Sequence, residues 1–268
     1  MPSFYAHYKF GQDLLRNFKF KLSDVINYDN LSYRLFIIGL QGPDILSYYK
    51  PYKNNNLNVQ SKLIHHSSGK SYFKKVVHNI QNNPHPYNYS YLYGSICHYI
   101  LDSSCHPTII KNTSTSNTHA KIEKYFDLLL INKNIKQIDK HIINNSVPTE
   151  KALSAYIKPF YSNIDPKYIK SSVLSMNRYL KIIYTSPITI RKTIFKLLDN
   201  SRELNKKADL IFLDENPKIY DDYFYEINTI YNSSLHLMVN ILEDLYENKN
   251  FDILNNSIFE KNFLGQLC

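Results

Sequence analysis

The chain has 268 residues, with Lys+Arg 32 against Asp+Glu 23 and a net charge of +9. That length can bury a full core without disulfide staples, and 43% hydrophobic against 21% charged residues excludes wholesale disorder. No apolar run approaches the roughly 20 residues that cross a bilayer, and Lys9, Asp13 and Arg16 interrupt the N-terminus where a signal peptide would need an apolar core.

In chain order, Phe4, His7, Tyr8, Gly11, Leu14, Leu15 and Phe18 recur at helical spacing and predict a helix over 4–18. A second helix is expected over 31–38, ended by Gly39 and the Gly42-Pro43 turn. Residues 50–61 are polar and Asn-rich and read as a loop. Helices follow over 66–81, stopped by Asn82-Asn83-Pro84-His85-Pro86, and over 87–105, closed by Pro107. Residues 107–117 read as a polar loop, with Asn117 capping a helix over 118–131. Further helices are expected near 148–158, 166–183, 187–204 and 222–247, with Asp165-Pro166 as an N-cap and first-turn proline. Helix after helix on short connections predicts an all-α fold. The expectation is one domain over 1–268, with a metal-binding part over 1–131 and a helical completion over 132–268.

The charge is spread thinly: no block of five or more Lys/Arg occurs, so the lysines read as solvation and not as a polyanion-binding patch. Cys97, Cys105 and Cys268 have no CxxC spacing. They read as small buried thiols in a reducing interior.

The histidines carry more information. Eight of the ten precede residue 120. His98 and Asp102 lie four apart on one helix, as do His119 and Glu123 on the next, and four-residue spacing stacks side chains on one face. His106 follows Asp102 by four more. Two such pairs on neighbouring helices, with His106 between them, point to metal binding. Zinc suits these nitrogen and carboxylate donors, although spacing alone leaves iron and manganese open.

The chain resembles the bacterial zinc-dependent phospholipase C family, whose fold is shared with zinc-dependent single-strand nucleases. The resembling segments are FYAHYKFG at 4–11, GLQGPDIL at 39–46, LIHHSSGKSYF at 63–73, YLYGSICHYILDSSCHP at 91–107 and THAKIEKYF at 118–126. The resemblance implies up to three zinc ions. Asp44, His65, His98 and Asp102 would hold the first, with His66 in reserve for His65. His106, His119 and Glu123 would hold the second. His7, a bridging Asp102 and the N-terminal backbone would hold the third. Secreted relatives begin with Trp at that place; this chain has no Trp, and a Pro2 amine would have to substitute. Ile45 follows Asp44 where an aromatic would cradle choline, so no headgroup preference is implied.

The function implied is a phosphodiester hydrolase that cleaves a phospholipid headgroup by zinc-activated water, with Asp44 as ligand or general base. The alternatives are a single-strand nuclease with the same metals and a metal-stabilised lipid-binding module without turnover. The expected location is the cytoplasm, with peripheral membrane contact. His78, His85, His141 and His236 read as ordinary surface or core residues.

Overall fold

The computed structural model describes residues 4–17, 26, 31–51, 53, 55–114, 118–134, 138–199, 221–247 and 251–268. The helices are α1 (Phe4–Asn17), α2 (Leu31–Gly39), α3 (Asp44–Ser47), α4 (Asn56–His66), α5 (Gly69–Asn82), α6 (Pro86–Lys111), α7 (His119–Asn134), α8 (Lys140–Ser146), α9 (Leu153–Ile157), α10 (Pro166–Thr185), α11 (Ile188–Asp199) and α12 (Asp221–Glu247). Short 3-10 turns occupy Lys158–Tyr161, Phe251–Asn255 and Ser257–Glu260. Among the described residues there is no strand, only isolated bridges pairing Ser68 with Asn262 and Lys261 with Leu267. The fold is all-α, as expected.

Helix α6 is the axis of the structure. Most of its residues from Asn88 to Ile109 are buried, including the polar stripe His98, Asp102 and His106. A helix buried on nearly every side belongs in the centre, and its buried polar stripe must find partners there. It packs against α2 and α12, while α1 lies against α6, α7 and α12. Gly39 and Gly94 let α2 and α6 approach closely: a Cβ on Gly39 would sit 2.6 Å from the Tyr91 carbonyl oxygen. Three elements that carry the polar centre, α1, α6 and α7, are thus in mutual contact.

Several local expectations change. The polar stretch at 50–61 contains the start of α4, because the Asn55 side chain accepts from the Leu57 and Asn58 amides and caps it. Asn-rich composition suggested a loop; one well-placed cap and the burial of Leu57 and Ser61 outweigh it. Pro107 does not end α6, which runs four residues further to Lys111. The expected helix near 148–158 is shorter, spanning 153–157, and α8 precedes it. Asn117 and residues 200–204 lie outside the described residues. Asp165 does cap α10, accepting from the Lys167 amide at 2.9 Å. Cys97 and Cys105 are buried, but Cys268, at the chain end, is exposed. No helix among the described residues is long and apolar enough to cross a membrane.

Candidate metal centre

Eight side chains predicted from sequence converge. α1 brings His7, the start of α3 brings Asp44, α4 brings His65, α6 brings His98, Asp102 and His106, and α7 brings His119 and Glu123. They form three groups able to hold a metal: His7–His98–Asp102, Asp44–His65–His98, and His106–His119–Glu123. Within each group the donor atoms lie within 4.8 Å of one another. His65 and His119 are partly exposed and the other six are buried. His66 is exposed, so the inward ring at this pair is His65. His78, His85, His141 and His236 are exposed and outside the centre.

The loop between α2 and α3 is bent to deliver Asp44. Gly42 has φ +47, in the left-handed region, and a Cβ there would run into the His98 ring. Only glycine adopts this conformation without strain while leaving the ring its place.

The backbone sets the orientation of three imidazoles. His65 Nδ1 lies 2.7 Å from the Ser61 carbonyl oxygen. His98 Nδ1 lies 3.1 Å from the Leu40 carbonyl oxygen. His106 Nδ1 lies 3.0 Å from the Asp102 carbonyl and 2.8 Å from the Phe263 carbonyl. A carbonyl only accepts, so each Nδ1 carries the hydrogen and each Nε2 is turned to the centre. Ligand histidines are commonly oriented in this way.

The inward atoms then meet carboxylates. His65 Nε2 is 3.2 Å from Asp44 Oδ1, and His98 Nε2 is 3.3 Å from Asp102 Oδ2. Neither Nε2, nor Asp102 Oδ2, has a hydrogen-bond partner, although all three atoms are buried. In a neutral ring Nε2 is an acceptor, and acceptor facing acceptor is repulsive. A cation between them satisfies both. The set contains nitrogen and carboxylate oxygen and no thiol, which zinc accepts readily. The residues present therefore fit zinc.

Asp102 occupies the middle. Its Oδ1 is 3.1 Å from His7 Nε2, and its Oδ2 faces both His98 and, at 3.8 Å, His65. His106 Nε2 and His119 Nε2 both approach Glu123 Oε1, at 3.4 and 2.8 Å. Burial alone would raise the carboxyl of Asp102, but the imidazoles of His98 and His106 hold it well below the usual range. Burial likewise opposes ionisation of Asp44, and the His65 imidazole outweighs it. His7 stacks on His98 with ring centroids 4.3 Å apart. Burial and that neighbour lower the pKa of His7. Burial lowers that of His106 too, yet Asp102 and Glu123 lift it to about 9. Without metal, buried charge is balanced by protons that a metal would displace.

One supporting residue was not picked out from the sequence. Asp127 is completely buried and accepts from the amides of Tyr5 (3.2 Å) and Ala6 (2.7 Å) and from the Tyr184 hydroxyl (3.1 Å). It satisfies first-turn donors of α1 that no intrahelical carbonyl can reach, immediately before His7. Gln41 donates to the Phe4 carbonyl at 3.3 Å from the other side. The signal for Asp127 was present: it follows Glu123 by four, as Glu123 follows His119. Gln41 has no comparable pattern. The N-terminal backbone expected at the third ion, Met1 and Pro2 included, lies outside the described residues.

The sequence profile of the family described as zinc dependent phospholipase C matches residues 6–171. No curated protein and no solved structure matches. The matched span contains all eight side chains of the centre and covers more than half of the chain, so the chain belongs to the zinc-dependent phospholipase C family.

Proposed function

We propose that this chain is a zinc-dependent hydrolase that cleaves the phosphodiester of a phospholipid on the diacylglycerol side, releasing diacylglycerol and a phosphorylated headgroup. The observation that supports it best is the convergence of three donor groups, two of which share His98, with the third beside them around His106 and Glu123. Zinc ions held there supply Lewis-acid charge for the phosphoryl oxygens and lower the pKa of a water toward neutrality.

In this reading His65, His98 and Asp44 hold one ion, His106, His119 and Glu123 a second, and His7 with Asp102 a third. Asp102, whose oxygens face His7 on one side and His98 and His65 on the other, would serve two of these ions at once. Asp44, kept ionised by His65, orients the attacking water and accepts its proton. The water oxygen bonds to phosphorus as the bond to the glycerol oxygen breaks, and that oxygen leaves protonated by solvent. His65 and His119, the partly exposed ligands, mark the side from which the phosphodiester enters.

The test is paired assays with phosphatidylcholine in mixed micelles and with single-stranded DNA, each with zinc and with chelator. Chelator-sensitive release of diacylglycerol is the expected result. DNA hydrolysis without lipid turnover would assign the centre to a nuclease. Full metal content with neither activity would leave a lipid-binding module.

A further inference from the structure

The family profile ends at residue 171, yet the C-terminal segment returns to the metal centre. Its backbone is pinned in sequence. The Gly69 amide donates to the Lys261 carbonyl at 2.8 Å. The Tyr99 hydroxyl lies 2.6 Å from the Ile258 carbonyl oxygen and 2.8 Å from that of Lys261. The Phe263 amide donates to the His65 carbonyl at 3.1 Å. The Phe263 carbonyl accepts from His106 Nδ1 at 2.8 Å. One residue thus holds a histidine in each of two donor groups, on α4 and on α6.

Each contact has a physical consequence. His65 is in the last turn of α4, where carbonyls have no intrahelical partner. The Phe263 amide supplies that partner and fixes the backbone from which the His65 ring projects. At His106 the Phe263 carbonyl helps keep the hydrogen on Nδ1, which leaves Nε2 to the centre. The Phe263 ring is fully buried and lies against the rings of His65 (5.2 Å between centroids), His98 (5.9 Å) and Tyr99 (4.9 Å). It covers these rings with apolar surface.

The turn that presents Phe263 is built by Asn262. Its Oδ1 accepts from the Leu264 amide (2.9 Å) and the Gln266 amide (3.0 Å), and its backbone amide donates to the Gln266 carbonyl (2.8 Å). Asn262 is itself buried, and its side chain bonds to Leu264 and Gln266, not to any of the eight donor side chains.

We propose that residues 261–268 form a hook belonging to the metal centre, with Phe263 and Asn262 as positioning residues that hold His65 and His106 in ligating orientation. This rests on the zinc reading of the centre. Hydrogen-bond partners of ligand histidines typically change metal affinity by about 10–100-fold when removed, so zinc affinity should depend on a turn far outside the family's matched span.

The full-length chain separates the possibilities through two variants. Asn262→Ala removes the acceptor that builds the turn, whereas Asn262→Asp keeps it. The measurements are zinc affinity by competition with a chromophoric chelator, the visible spectrum of the Co²⁺-substituted protein, and helical circular dichroism. The expected result is a fall in zinc affinity of about 10-fold or more for Asn262→Ala, with an altered Co²⁺ spectrum and retained helicity. Asn262→Asp, which loses only the Nδ2 donor to the exposed Gln266 side chain, should bind closer to the parent than Asn262→Ala does. Unchanged affinity and spectrum in Asn262→Ala, or equal losses in both variants, would overturn the hook while leaving the zinc centre standing. A parent chain that binds no zinc would instead overturn the metal reading on which the hook depends.

Discussion

Asp127→Ala tests how the first turn of α1 is held beside the centre. The Asp127 carboxylate accepts from two amides and one hydroxyl in a site with no solvent exposure. Removing it strands two buried amides and takes an acceptor from the part-buried Tyr184 hydroxyl, and each stranded donor costs about 1–3 kcal/mol. Some relaxation lowers the sum, so the expected loss is about 3–5 kcal/mol. At roughly 2–4 °C per kcal/mol for a chain near this size, Tm should fall by about 10 °C in zinc-free thermal melts. Asp127→Asn keeps one acceptor oxygen and should lose about half as much. Tyr184→Phe removes one donor, so its cost and that of Asp127→Ala should add to more than the double variant shows. The loss should also reach His7, the residue after Ala6, and lower the zinc bound per chain. An Asp127→Ala melt within about 2 °C of the parent would refute the reasoning.

Three further outcomes follow from the same geometry. His98→Ala and Glu123→Ala should each lose zinc and stability together, because ligand binding is coupled to folding; elemental analysis and melts read both, and unchanged values in either variant count against the site. Gly42→Ala should cost about 1–2 kcal/mol for its left-handed φ alone, with more from the clash against His98, and a denaturant midpoint equal to the parent's would contradict this. The third concerns pH. His106 titrates at about 9 in the folded, metal-free chain, against about 6.5 when unfolded. A raised pKa gives stability that is full below about 6.5 and lost as pH rises through about 9. Zinc-free Tm should therefore fall across that window, and a flat or rising Tm would argue against the buried imidazolium.

Much of the centre was legible because helices turn spacing into proximity. His98 and Asp102, and His119 and Glu123, are one turn apart on single helices, and the structure stacks each pair on one face. Asp127 obeys the same rule, but its partners are backbone amides of α1, which no residue pattern announces. α4 was hidden by its Asn-rich start, since composition does not reveal which asparagine is the cap. Pro107 looked like a terminator because local propensity favours that reading; the burial of Thr108 and Ile109 just beyond it carries the helix past it. The contact from Phe263 to His106 spans 157 residues, and only the tertiary fold could bring it about. The +9 charge, by contrast, said little about the site, where three carboxylates and five imidazoles lie together.

The central claim is that these eight side chains hold zinc in three adjoining groups. Anomalous diffraction from crystals of the zinc-loaded protein, recorded on both sides of the zinc absorption edge, tests it most directly. The account predicts a zinc peak at His7–His98–Asp102, at Asp44–His65–His98 and at His106–His119–Glu123. A map with no zinc peak beside His98 and Asp102, or with zinc only at surface histidines, would contradict it.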